Sequence, residues 1–322
     1  MPANAVTAEK YVEDRIREAN VGMLLLRPRN AGLLRQARQA FRERLSYAMM
    51  AFEPAPEEIA TETAEELPNG EKLTLGRRDY GERIPAVYLK ASTPNAAARP
   101  TLVVHPEGGA WALSSSESRD GLVAKLLDNG GDVLAIDAFQ LAHAVAPRPD
   151  VAAAGRRAET YYTTFNRTDT ANRVLDVVIA LAYLRSRTGA GEINLACLGD
   201  TGPWCSLARA VASGSIRMAA DLRLFDASKD EEFVEKLFSP HLRTAGDFRA
   251  ASTLWVEGGA LLWNVAPGFP SDWVRGSFEA ASMSDKLMLL PDQVSDIALA
   301  AWLTQPGDPA APPQAGRSTT PR

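Results

Sequence analysis

Few residues in this sequence could carry chemistry, and the most suggestive lie in one turn. Residues 193–198 form a continuous apolar run that reads as a buried strand, Gly199-Asp200-Thr201-Gly202-Pro203 is turn material, and residues 204–210 have the spacing of an amphipathic helix. A strand that turns this tightly into a helix lifts one side chain above a sheet and aims helix N–H groups at whatever binds there. On that reading Thr201 is the exposed side chain, with Asp200, Gly202 and Pro203 around it. A hydroxyl is protonated near neutral pH and becomes a nucleophile only beside a general base.

The sequence holds three histidines to fill that role, and they are scattered. His105 closes a short apolar strand and leads into Pro106-Glu107-Gly108-Gly109, so one reading is a Thr201–His105 dyad steered by Glu107. The plainer reading, a histidine bonding nearby backbone, is preferred. His143 reads as a lid or surface residue and His241 as a packing residue of an insertion. No paired histidine or cysteine spacing points to a metal. His105-Pro106-Glu107 matches the H-x-E of zinc deaminases, but Pro203-Trp204-Cys205-Ser206 lacks the P-C-x-x-C that must accompany it. Cys197 and Cys205 read as small buried hydrophobes, and the acidic run at 226–235 as a solvated helix start. Trp111, Trp204, Trp255, Trp263, Trp273 and Trp302 suit either core packing or a sugar-stacking surface.

These residues need a scaffold. Residues 9–20 and 31–50 read as helices, the second placing Leu34, Ala37, Phe41, Leu45 and Met49 on one face and arginines on the other. Glutamate and proline then dominate 53–68, which reads as a linker. Beyond it strands are expected at 71–77, 85–91, 101–105, 132–137, 193–198, 220–225, 260–266 and 286–290. They alternate with helices near 118–128, 169–187, 204–210, 231–238, 246–254, 272–281 and 293–303. Such alternation predicts an α/β domain, an open and mostly parallel sheet flanked by helices, with its site at the carboxyl ends of the strands. The predicted organisation is a helical extension over 1–52, a linker over 53–70, the α/β domain over 71–303 and a disordered tail over 304–322, rich in proline and alanine.

Composition sets outer bounds. With 46% hydrophobic and 23% charged residues the 322-residue chain can build a sizeable core. A net charge of −5 and the absence of a lysine-rich cluster give no attraction to nucleic acid or anionic lipid. No apolar run is long enough to cross a bilayer and residues 1–10 lack a signal-peptide pattern, so the sequence as it stands reads as soluble and not exported.

The order of elements, with Thr101 to Gly109 entering one turn and Cys197 to Gly202 another, resembles the α/β-hydrolase superfamily over residues 71–303. Residues 161–187, 237–240 and 247–251 are similar to those of acetyl-xylan-esterase-like bacterial hydrolases. The resemblance implies that the strands carrying His105 and Gly199 are neighbours, so both turns face one pocket lined by Glu107, Gly108 and Gly109. It places the nucleophile on Thr201, normally a serine within G-x-S-x-G. It implies an acid after the strand at 260–266, where Asp272 is the candidate, and a base after the last strand. There Pro291-Asp292-Gln293-Val294-Ser295-Asp296 contains no histidine. The expectation is therefore a catalytically degenerate hydrolase-fold protein acting as a binding or interaction domain. The alternative is an active carbohydrate-type esterase, a carboxylic ester hydrolase that uses Thr201 with an unconventional base. No cofactor is expected. The expected partners are a catalytic domain of the same fold or a second copy of the chain, met through the N-terminal helices, and a small ester or carbohydrate ligand.

Overall fold

A computed structural model describes residues 6–142 and 162–305. Strands β1 (Ile59–Leu67), β2 (Gly70–Arg77) and β3 (Ile84–Leu89) form an antiparallel meander that joins β5 (Val133–Ile136). From there β5, β4 (Thr101–Val104), β6 (Glu192–Cys197), β7 (Ser215–Asp221), β8 (Ala260–Trp263) and β9 (Leu287–Leu289) run parallel. The sheet order is β1-β2-β3-β5-β4-β6-β7-β8-β9. Every residue of β4, β5 and β8 is buried, as a parallel strand covered on both faces requires. One break with expectation is β1, which occupies the stretch read as a linker. Its middle residues are exposed on both faces, so it carries no hydrophobic alternation that a pattern could register.

The helices, in chain order, are α1 (Ala8–Leu25), α2 (Ala31–Ala48), α3 (Gly108–Glu117), α4 (Leu122–Asp128), α5 (Tyr162–Phe165) and α6 (Asp169–Thr188). They continue as α7 (Gly202–Val211), α8 (Asp230–Lys236), α9 (Leu242–Ala245), α10 (Asp247–Trp255), α11 (Ser271–Ala280) and α12 (Asp296–Thr304). Helix α6 starts and stops as its sequence dictates: the Thr168 side chain caps the Ala171 N–H, and Gly189 closes the helix in the left-handed region at φ 66°. One core, containing α2, α6, α7 and α10, fills one face of the sheet. A smaller one under α4 and α12 fills the other.

The N-terminal helices differ sharply from each other. Helix α2 is part of the larger core, with Leu34, Ala37, Phe41, Leu45 and Met49 all buried. Its apolar stripe meets α10, α7 and α11, and Glu53 beyond its end pairs with Arg185 at 2.6 Å. Helix α1 buries only Met23 and leaves Tyr11, Val12, Ile16, Leu24 and Leu25 exposed. Among the described residues no helix is long and apolar enough to cross a membrane. His143 and nearly all of the tail expected over 304–322 lie outside the described residues.

Candidate functional site

The carboxyl ends of β4 to β9 converge as the topology requires. Val104 pairs with Cys197, which sets the turn after β4 beside the turn after β6. The sharp point of the β6 turn is Gly199, at φ 55°. Residues 199–201 make a single 3-10 turn before α7 begins. The side chain at the tip is therefore that of Gly199, a hydrogen, and Thr201 lies two residues further along, inside the protein. A β-carbon on Gly199 would stand 3.4 Å from the Pro106 ring, an ordinary contact, so space at the tip is not what excludes a side chain there.

Thr201 was expected to be exposed, and it is wholly buried. Its hydroxyl lies 3.0 Å from the Val104 carbonyl and 2.9 Å from that of Leu198, donating to one at a time and tying the turn to β4. Gly202 is required for close packing: a β-carbon there would sit 1.7 Å from the Asp221 carbonyl oxygen. Pro203 is buried in the first turn of α7, where its missing N–H costs nothing. Asp200 is exposed and accepts from Arg223 Nε at 2.9 Å. The cysteines are buried, as expected, and are joined to each other in a disulfide. The turn carries the last residue of β6 and the fourth of α7 to a Cα separation of 5.9 Å, within disulfide range.

The turn after β4 is equally self-contained. His105 stacks on Trp111, ring centroids 4.4 Å apart, and its Nδ1 accepts the Glu107 N–H at 3.1 Å. Burial lowers the imidazole pKa from its ordinary value, against the opposing pull of Glu107 and Asp296. Glu107 is exposed, whereas Gly108 and Gly109 are buried. Gly108 has φ 55°, and a β-carbon on it would fall 1.9 Å from Asp137 Oδ1. The Gly109 N–H, which a glycine-rich turn could offer to a substrate oxyanion, donates to that same Asp137 oxygen at 2.7 Å.

The acid expected after β8 is elsewhere. Asp272 sits in the first turn of α11 and lines a cleft with Arg27, Asn30 and Arg275. The residue that follows β8 directly is Asn264, at φ 50°, a conformation asparagine tolerates. Its Nδ2 donates to Asp221 Oδ1 at 2.7 Å and to Gln293 Oε1 at 2.9 Å. Gln293 comes from the histidine-free loop after β9, where Asp292 is exposed. Gly199, Asn264 and Gln293 carry no motif of their own, and only the ends of β6, β8 and β9 mark their positions.

Comparison with solved structures places this geometry. The chain is similar to a Bacteroides fragilis protein assigned as an acetyl xylan esterase, with a TM-score of 0.66 at 10% identity over 89% of this chain and 82% of the other. The chain has an α/β-hydrolase fold. A weaker likeness, TM-score 0.38 at 10% identity, is to a Pyrococcus horikoshii acylaminoacyl peptidase, spanning 78% of this chain and 45% of that one. No family model matches the sequence, and no curated protein does.

Among the described residues no group of three or more His, Cys, Asp or Glu side chains is placed to hold a metal. His241, exposed at the start of α9, has no such company. Five of the six tryptophans, Trp204, Trp255, Trp263, Trp273 and Trp302, are buried, so packing accounts for them. Trp111 is half-exposed beside His105.

Proposed function

We propose that this α/β-hydrolase-fold protein is a binding or interaction domain without hydrolytic turnover. The observation that carries the reading is the chemistry at the three strand ends from which the fold draws its nucleophile, acid and base. The tip after β6 is Gly199, and the residues meeting across β8 and β9 are the amides Asn264 and Gln293, 2.9 Å apart. Neither amide titrates near neutral pH, so the pair cannot take a proton from a hydroxyl. An esterase built on Thr201 and His105 would require the Thr201 hydroxyl to leave two carbonyls inside the protein.

The ligand proposed for this edge is a carbohydrate or small ester, the class named for the Bacteroides fragilis neighbour, resting on the half-exposed Trp111–His105 stack. Purified protein is expected to turn over p-nitrophenyl acetate no faster than the heat-denatured chain, while acetylated xylo-oligosaccharide quenches tryptophan fluorescence in the wild type and not in Trp111→Ala. Saturable turnover abolished by Thr201→Ala or His105→Ala would overturn the non-catalytic reading.

A further inference from the structure

A second place in the molecule gathers charge without using it. The turn between α1 and α2 and one face of α11 enclose a cleft of about 650 Å³. One wall is Arg27, Pro28, Arg29 and Asn30; the other is Asp272, Arg275, Gly276 and Glu279. These last four are spaced i, i+3, i+4 and i+7, so they share one helix face. At Gly276 the two walls come close: a β-carbon there would meet the Pro28 carbonyl oxygen at 3.6 Å, an ordinary contact.

Among the described residues, Arg29, Arg275, Asp272 and Glu279 engage in no side-chain hydrogen bond or ion pair. Arg27 has only a stacking contact, its guanidinium 5.9 Å from the Trp273 ring. Elsewhere arginines are held by carboxylates, as in Arg77–Glu82, Arg99–Glu192, Arg187–Glu71 and Arg249–Asp247. Three guanidiniums and two carboxylates lining one concavity, none ion-paired with another described residue, form a complementary set for a ligand of mixed chemistry. Guanidinium forks bind carboxylate or phosphate oxygens, and carboxylates accept from hydroxyls.

We propose that this cleft binds a small hydroxylated oxyanion, such as a sugar acid or a sugar phosphate, with Arg27, Arg29 and Arg275 on the oxyanion and Asp272 and Glu279 on hydroxyl groups. The site lies apart from the strand ends and stands independently of the reading proposed for them. It also gives Asp272 a role that catalysis does not.

The test is titration calorimetry on the whole chain at fixed ionic strength with four probes: sodium glucuronate, glucose 6-phosphate, inorganic phosphate and glucose. Saturable binding is expected for the first two, with the tighter of them identifying the oxyanion, and none for glucose. Arg29→Gln and Arg275→Gln, both at exposed positions, are each expected to weaken binding about tenfold, the loss of one charge-assisted hydrogen bond. Glu279→Gln is expected to weaken the hydroxylated probes and leave inorganic phosphate unchanged. Arg35→Gln, an exposed arginine outside the cleft, is expected to change nothing. No saturable binding, or binding that Arg35→Gln reduces as much as Arg275→Gln, would overturn the proposal. Fluorescence quenching at the Trp111 edge is read separately, so failure of either site leaves the other testable.

Discussion

Two regions of this protein handle their polar groups in opposite ways. At the strand ends the Thr201 hydroxyl is bonded to backbone, the Gly109 N–H to the Asp137 carboxylate, and Asp221, Asn264 and Gln293 to one another. In the cleft between the helix turn and α11, five charged side chains have no such partners among the described residues. A preorganised catalytic site keeps donors aimed at a position that substrate will occupy, and each unmade bond there costs stability until the substrate arrives. The strand ends have given up that cost and gained structure. The cleft retains unpaired charge, in a part of the chain built from the turn between the N-terminal helices and from α11.

The sharpest way to break that contrast is at Gly202. If the elbow is retained because the fold packs through it, Gly202→Ala must fail, since its methyl would fall 1.7 Å from a backbone carbonyl of the adjacent strand. A loss of about 3 kcal/mol is expected, with the whole domain affected, read as a lowered urea midpoint. A near-neutral substitution would mean that the elbow is free to move and that its present hydrogen bonds say little about function.

Burial of an acid beside the strand ends provides the next test. Asp176 in α6 accepts the Phe139 N–H at 2.8 Å, while Arg173 donates to the Phe139 carbonyl at 2.9 Å, so one helix clamps the strap that leaves β5. Burial, with Glu82 adding to it, raises the Asp176 pKa from 3.8 to about 7 against the weaker pull of the Phe139 N–H, Arg173 and Arg167. A raised folded-state pKa means that the native state binds the proton more tightly than the unfolded chain. Stability from this group is therefore full below about pH 4 and is lost as pH rises towards 7. Asp176→Asn keeps an acceptor for the Phe139 N–H and removes the titration. It is expected to stabilise by about 4 kcal/mol at pH 8 and by almost nothing at pH 4, measured as paired thermal midpoints. An equal gain at both pH values would show that the carboxyl is already solvated.

Much of this architecture was legible in the residues. The Thr168 cap, the Gly189 stop and the apolar stripe of α2 are local signals, and each element stands where its signal placed it. The alternation after residue 100 was enough to imply the parallel sheet. Strand β1 was hidden because both of its faces meet solvent. The site was misread for a different reason. Gly199-Asp200-Thr201-Gly202-Pro203 fits a motif by type, but the turn's position is fixed by where β6 stops and where Gly202 packs on Asp221, and a one-dimensional pattern contains neither. The disulfide was missed likewise, because eight residues of separation say nothing until the turn folds them together.

Thr201 itself then admits a smaller test. Valine matches threonine in shape and lacks the hydroxyl, so Thr201→Val removes the link to the Val104 and Leu198 carbonyls without leaving a cavity. A loss of about 1 kcal/mol is expected, and the response to p-nitrophenyl acetate should match the wild type. A stability loss accompanied by a fall in turnover would return Thr201 to the chemistry.

The smallest effect has the opposite sign and belongs to the cleft beside α11. Gly276 lies inside α11 with ordinary clearance to its nearest neighbour, so its conformational freedom serves neither a turn nor a close approach. Replacing a helix-interior glycine by alanine restricts the unfolded chain and is expected to raise stability by about 0.5–1 kcal/mol. The same methyl narrows the cleft toward Pro28, so Gly276→Ala should weaken glucuronate while the fold gains. A more stable protein that binds less is the signature of a position kept open for a ligand. If stability rises and binding is untouched, the glycine is incidental and the cleft is wider than its occupant needs.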